Sequence, residues 1–305
     1  MESSSRDSLS SSAFNNPVIQ LLTGRAFIAI SILALVLVLA PYQAVLLFVV
    51  LGQAHFSLTY LDHFKKGRYS KKGALLYLIA ALAAFSALTM SMNPFILFVS
   101  VFFLLHNFFD DMRLLKDQNR PYALLATAPL FILLSLASYD SLFSSDFLAV
   151  AALPLSLVFI LIGIFLASQK AIRSHPYILY ILGISALLMT TYNLFPEIGA
   201  ERLFAFIILS HYFNWYWHIY KKYEPSAARQ RSAYVRECLI VNGIIITVFS
   251  GFLIAYGGME NAIGHPLYTL VYTPYYFYAW TLMHLLVTLR GEDYGVRVAP
   301  KTALF

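Results

Sequence analysis

Charged residues are scarce in this chain, at only 12% of its 305 residues. Soluble domains carry about 25% charged residues, which keep their surfaces in contact with water. Hydrophobic residues reach 60% here, and the mean hydropathy is +0.70. Such a chain cannot cover itself with polar side chains, so its composition excludes a soluble globular protein and a disordered one. It predicts a protein that is surrounded by lipid.

Cysteine is also scarce, because Cys238 is the only one in the chain. A single cysteine cannot form an internal disulfide, and it matches none of the spacings of thiolate metal sites. A secreted disulfide scaffold and a thiolate metal centre are therefore excluded.

Long apolar runs, by contrast, recur along the whole chain. A helix needs about 20 apolar residues to cross a bilayer. Ten such runs occur, at residues 18–40, 44–63, 74–92, 94–111, 121–138, 147–167, 177–195, 202–220, 238–256 and 267–289. The sequence thus predicts an all-α polytopic protein with about ten transmembrane helices in one domain, residues 17–290. Residues 1–16 are expected to form a disordered cytoplasmic tail and residues 291–305 a second cytoplasmic tail.

The basic residues predict the orientation of these helices. Lys and Arg accumulate in cytoplasmic loops. If the chain begins in the cytoplasm, every Lys and Arg except Arg202 falls on the inner side. We therefore expect both termini in the cytoplasm and an integral multi-pass protein of a bacterial inner membrane. Orientation alone accounts for the net charge of +6, so no nucleic-acid partner is expected.

All but two of the eight histidines lie in four predicted spans, each running from outside to inside. They are His55 and His63 in the second span, His106 in the fourth, His211 and His218 in the eighth, and His284 in the tenth. At a rise of about 1.5 Å per residue, the first histidine of each span falls within one slab about 6–7 Å thick. Ionisable groups inside a membrane are costly and mark functional sites, and neutral imidazole is the commonest protein metal ligand. This pattern favours a buried metal site.

Two polar residues accompany these histidines. Asp110 follows His106 by four residues on the same helix face, where a carboxylate can bind a metal or orient an imidazole. Asn214 lies between His211 and His218 on a shared face, and these two histidines are about 10.5 Å apart along the axis, which suggests two metal ions or one outlying histidine. The predicted metal ligands are His55, His106, His211, His218 and His284, with Asp110 and Asn214 as catalytic residues.

The donor set points to the metal. Imidazoles with carboxylate support suit iron, zinc or copper. Four imidazoles exceed the three protein ligands of a usual catalytic zinc, which favours one or two non-haem iron ions over zinc. A haem held by His55 and His211 is a lesser alternative.

Four short motifs follow one another along the chain. They are His55 with the apolar stretch after it, His106-Asn107-Phe108-Phe109-Asp110, the helix of His211 and the helix of His284. In this order they resemble the motifs of the Brp/Blh-type membrane β-carotene dioxygenases. The chain departs from that family at Thr59, where the family has Asp, and at Trp215, where the family has a second histidine, here displaced to His218. The resemblance implies a non-haem iron enzyme that takes molecular oxygen and a lipidic substrate, such as a carotenoid, an isoprenoid or an acyl chain.

Two other functions stay open on the sequence alone. An intramembrane zinc lipid hydrolase would use the same cytoplasm-facing His and Asp side chains. A proton-coupled transporter would use the histidines as a relay, and Pro129 and Pro154 lie within predicted spans as its broken helices would require.

The orientation can be tested by cysteine labelling in a Cys238→Ala background. We expect Ser226→Cys to react with a membrane-impermeant maleimide only from the cytoplasmic side, and Asn261→Cys only from outside. Labelling is measured in intact cells and in inverted vesicles. Reaction of Ser226→Cys in intact cells would reverse the predicted orientation.

Overall fold

The computed structural model describes residues 17–65, 71–87, 91–112, 120–143, 146–169, 176–195, 198–222 and 228–288. These ranges are helical except for short turns, and no strand occurs within them. The all-α class predicted from the sequence is confirmed. Both expected tails lie outside the described residues.

Twelve helices occur in these ranges. They are α1 (Pro17–Val38), α2 (Pro41–Lys65), α3 (Lys71–Ser86), α4 (Met92–Met112), α5 (Arg120–Phe143), α6 (Phe147–Ser168), α7 (Pro176–Leu194), α8 (Gly199–Lys222), α9 (Ala228–Ala255), α10 (Met259–Ala262), α11 (Pro266–Tyr272) and α12 (Pro274–Thr288).

Six of the described helices, α1, α2, α5, α6, α7 and α9, are long and apolar enough to cross a membrane. Two of them, α6 and α9, are the least buried and expose rows of Leu, Ile and Val. Apolar faces of this size are unstable in water, so the chain is a polytopic membrane protein. The count of ten spans stays a prediction.

Helix α8 lies at the centre of the bundle. It packs against α1, α2, α5 and α9, and residues 203–212 are buried without interruption. A helix that is enclosed in this way must be apolar on every side, which explains the sequence Leu-Phe-Ala-Phe-Ile-Ile-Leu over 203–209. Ser210 and His211 are the polar residues within this buried stretch.

Gly52 brings α2 close to α8 and α12. A Cβ atom at this position would lie 2.4 Å from the Phe277 ring and 2.6 Å from the Tyr212 hydroxyl. Gly24 acts similarly on α1, where a Cβ atom would lie 2.4 Å from the Trp217 indole. Close helix packing through small residues is typical of membrane bundles.

The structure corrects the prediction for the tenth span, residues 267–289, because this segment is not one continuous helix. Helix α11 ends at Tyr272 and α12 begins at Pro274, with Thr273 extended between them (ψ 143°). Proline has no N–H and keeps the preceding residue out of the helical region, which explains the break. Pro129 and Pro154, by contrast, lie inside the uninterrupted helices α5 and α6.

Side chains satisfy the backbone carbonyls that the break leaves open. Pro274 cannot donate to the carbonyl of Leu270, which instead accepts from the Trp280 indole N–H at 2.9 Å. The carbonyl of Val271 accepts from Gln53 Nε2 at 2.6 Å. Inside a membrane such partners are required, because water is absent. Gln53 thereby ties α2 to the break, two residues before His55.

Basic residues gather at one end of the bundle, which we call the basic end. There Lys65 of α2 pairs with Glu237 of α9 at 2.5 Å, and Lys221 of α8 donates to Gln20 of α1. Arg202 lies at the opposite, far end, where its Nε donates to the Leu39 carbonyl at 2.9 Å. This separation agrees with the charge pattern used to orient the chain.

The close approach at Gly52 can be tested by Gly52→Ala. The added methyl group must displace Phe277 and Tyr212, and overpacking of this kind costs about 1–3 kcal/mol. We expect a lower thermal unfolding midpoint in detergent. Gly163→Ala on α6 is the control, because nothing lies within 4 Å of a Cβ atom there. Equal midpoints for the two variants would contradict the packing.

Candidate functional site

Four buried histidines from four helices lie side by side. We call His55 (α2), His106 (α4), His211 (α8) and His284 (α12) the histidine quartet. Between ring centroids, His55 lies 5.1 Å from His284 and 5.4 Å from His211. His106 lies 5.8 Å from His211 and 6.4 Å from His284. Each histidine is at most 8% exposed, so the structure brings together four of the five predicted ligands. Their role as ligands stays a prediction.

The backbone near His55 and His284 makes close contacts and hydrogen bonds that surround these two rings. Gly52, one turn before His55, lets α2 reach Tyr212 and Phe277. Thr59 and Thr288 stand four residues after His55 and His284, and each hydroxyl donates to the carbonyl of its own histidine, at 3.0 and 2.9 Å. Thr59 does not bond to the ring of His55, because its hydroxyl donates to the backbone and neither ring nitrogen of His55 has a hydrogen-bond partner among the described residues.

His55 has unsatisfied polar atoms. Among the described residues, neither of its ring nitrogens has a hydrogen-bond partner, and the same holds for Nδ1 of His284. A neutral imidazole carries one donor and one acceptor, and leaving a buried polar group unpaired costs about 1–3 kcal/mol. Orphaned groups of this kind are rare in folded proteins and often mark functional sites.

His211 has a partner that the sequence analysis missed. Its Nδ1 lies 3.0 Å from Oδ1 of Asn107. Since this oxygen accepts, Nδ1 carries the proton and Nε2 keeps a lone pair, as a metal ligand requires. Asn107 directly follows His106 in the sequence, so one turn of α4 supplies both a quartet member and the partner of another.

Two other predicted site residues, His218 and Asn214, lie outside the quartet. His218 is half-buried two turns along α8, and the ring contacts that link the quartet do not include it. Asn214 is half-buried, and its Oδ1 has no hydrogen-bond partner among the described residues. Asp110 lies in α4, but its side chain is outside the described residues. His63 bonds to the Tyr77 hydroxyl at the basic end.

Aromatic rings surround the quartet. Tyr212 stacks on His55 at 4.7 Å, and Trp215 meets the same ring at 4.9 Å. Phe56 covers His284 at 5.0 Å, and Phe103 contacts His211 at 5.2 Å. A cavity of about 10 Å³ adjoins these rings, which is room for about one water-sized molecule. The surroundings of the quartet are therefore mainly aromatic.

The four imidazoles of the quartet are side chains of a kind that can bind a metal ion. As they stand, no three His, Cys, Asp or Glu side chains in the described ranges are arranged to hold one. Two imidazoles bonded to one ion at about 2.0–2.1 Å place their ring centres about 4.5–6.4 Å apart, depending on the bond angle. All four measured separations fall within that interval. Each of these four pairs is therefore spaced as two imidazole ligands of one ion can be.

A haem does not fit between His55 and His211. Their rings are 5.4 Å apart and perpendicular, and Tyr212 and Trp215 already pack against His55. No room is left for a macrocycle between these two side chains.

Comparison with protein-family models, curated proteins and solved structures gives no match. The site is therefore interpreted from its own residues.

Stability measurements can separate His55 from His211. In chelator-treated protein, His55→Leu removes two unpaired buried nitrogens, so we expect its thermal midpoint to rise. His211→Leu should lower the midpoint by comparison, because it leaves Oδ1 of the half-buried Asn107 without its donor. An equal fall in both variants would show that His55 has a structural role.

Proposed function

We propose that the protein is a membrane-embedded non-haem iron oxygenase that acts on a lipidic substrate. The observation that carries the proposal is the quartet, in which four buried imidazoles from four helices meet. Both ring nitrogens of His55 and Nδ1 of His284 have no hydrogen-bond partner among the described residues. Proteins rarely bury so many unsatisfied polar groups in a membrane without using them. The reactions that suit this site are cleavage of a carotenoid or other isoprenoid, and hydroxylation or desaturation of an acyl chain.

The quartet residues would hold the iron through ring nitrogens, and iron bound there would supply the activation of molecular oxygen. Asn107 keeps the proton on Nδ1 of His211 and so presents Nε2 to the site. Asp110 is proposed to orient His106, four residues before it on α4. His218 and Asn214 take no direct part in this proposal, since the quartet forms without them.

The aromatic residues around the quartet would exclude water and accept an apolar chain. Tyr212, Trp215 and Phe56 contact the rings of His55 and His284 directly. In such surroundings a polar substrate would lose its hydration without gaining partners, which disfavours it. A hydrocarbon chain carries no such cost, so the walls of the site support a lipidic substrate.

The finer topology belongs to the same proposal. Ten spans with both termini in the cytoplasm would place the basic end on the cytoplasmic side of a bacterial inner membrane. The contacts of Lys65 and Lys221 at one end, and of Arg202 at the other, support this orientation. On this topology α11 and α12 together form the tenth span.

A proton-coupled transporter is the second candidate, and the break between α11 and α12 favours it. Transporters place broken helices in corresponding halves of the chain. Among the described helices, however, α5 and α6 continue through Pro129 and Pro154. The single break is therefore weaker support than the quartet.

The metal site is tested by elemental analysis of the purified protein. We expect about one iron per chain, the number that four imidazole ligands suit. Alanine at any quartet position should abolish it, and Asn107→Leu should weaken iron binding about 10–100-fold through loss of the tautomer constraint. His265→Ala is the matched control, because His265 lies between α10 and α11 beside Phe252 and Tyr256. Iron retained in two quartet variants would favour the transporter.

Dependence on oxygen separates the oxygenase from a zinc lipid hydrolase. Turnover of an isoprenoid or acyl lipid should consume oxygen and stop under anaerobic conditions. A hydrolase would contain zinc, need an ester or amide, and work without oxygen. Zinc-loaded protein with full anaerobic turnover would overturn the oxygenase proposal.

A further inference from the structure

A second cavity, of about 570 Å³, opens near the far end of the bundle. Its walls include Val45 and Val49 of α2, Glu201 of α8, Ile263 after α10, and Pro274 of α12. Cavities that bind small molecules are commonly about 300–1,000 Å³ and mostly apolar. In size and lining this one meets both conditions.

The helix break shapes this cavity. Thr273 and Pro274, where the helix is interrupted, both line it. The break is fixed by Gln53, which donates to the Val271 carbonyl, and by Trp280, which donates to the Leu270 carbonyl. The cavity wall is thus held by hydrogen bonds from side chains to backbone carbonyls.

One wall of the cavity is formed by α2, the helix that carries His55. Val49 precedes His55 by six residues, which is about 9 Å along α2. Phe277 lies on this path, because its ring packs on Phe48 at 5.5 Å and against Gly52. Phe277 also lines the 10 Å³ cavity that adjoins the quartet. Phe277 therefore contacts the part of α2 that follows the cavity wall and also lines the small cavity beside the quartet.

The charge of the lining selects the ligand. Apart from Glu201, the residues that line the cavity are apolar or carry only a hydroxyl group. Glu201 is exposed, and its carboxylate would repel the headgroup of an anionic lipid. A neutral chain meets no such repulsion. The lining therefore matches an uncharged apolar chain better than a fatty acid or a lipid phosphate.

We infer that this cavity binds the apolar chain of an uncharged lipid, a hydrocarbon or a lipid alcohol, and directs its end past Phe277 toward the quartet. This inference rests on the proposed function for the purpose of the bound chain. The binding itself depends only on the cavity.

Photolabelling tests the binding on the full-length protein in lipid nanodiscs. The probe is a long-chain alcohol with a diazirine at the end opposite its hydroxyl group, and labelled positions are mapped by mass spectrometry. We expect labels on residues that line the cavity.

Val49→Trp should reduce these labels at least about five-fold, because the added indole occupies space in the cavity. The control is Leu157→Trp on the exposed face of α6, which should leave labelling unchanged. Labels spread evenly over exposed helices, or equal losses in both variants, would overturn the inference.

The charge argument has its own measurement. The carboxylic acid of the same length should label the cavity more weakly than the alcohol. Glu201→Gln should raise labelling by the acid several-fold and leave labelling by the alcohol unchanged. Stronger labelling by the acid in the unaltered protein would contradict selection of an uncharged chain.

The position of Phe277 gives a third measurement. Phe277→Ala should move part of the label toward the residues around His55, such as Tyr212 and Trp215, because the separating ring is removed. A label distribution identical to that of the unaltered protein would show that the chain does not point toward the quartet.

These experiments are run on iron-loaded and chelator-treated protein alike. If the cavity is labelled but the protein fails to bind iron when iron is supplied, the cavity assignment stands and the oxygenase proposal falls. Iron bound by the quartet in protein whose cavity is not labelled would do the reverse.

Discussion

The close approach of α2 to α8 and α12 at Gly52 is the contact on which the site depends. With no side chain at this position, the Phe277 ring and the Tyr212 hydroxyl occupy the space that a Cβ atom would need. One turn further along α2, His55 is thereby held within ring contact of His211 and His284. Because van der Waals packing drives helix association in lipid, a small loss of fit here would separate the rings as well as weaken the fold.

The quartet is costly to the folded protein. Unpaired buried nitrogens on His55 and His284 oppose folding, and the apolar residues around them offer no compensation. Natural proteins tolerate such conflicts mainly at functional sites. The pairing of Asn107 with His211 fits this view, since it fixes the orientation of one ring while leaving its second nitrogen available.

Proline has two different effects in this bundle. Pro129 and Pro154 are accommodated within continuous helices, whereas Pro274 follows an extended residue and separates α11 from α12. Gln53 and Trp280 donate hydrogen bonds to the carbonyls that the break leaves without helical partners. The same break forms part of the wall of the large cavity, so one irregular residue pair shapes both the backbone between α11 and α12 and that cavity.

The sequence by itself determined the lipid environment, the all-α class, most helix positions and the common depth of four histidines. These follow from composition, from run length and from the fixed rise of a helix. Only the tertiary structure decided which side chains meet around that depth. The pairing of Asn107 with His211 and the break at Pro274 were not predicted, and the sequence left open whether His218 joins the other histidines. The physical reason is that depth depends on counting residues along one helix, whereas contacts depend on how neighbouring helices rotate and pack against one another.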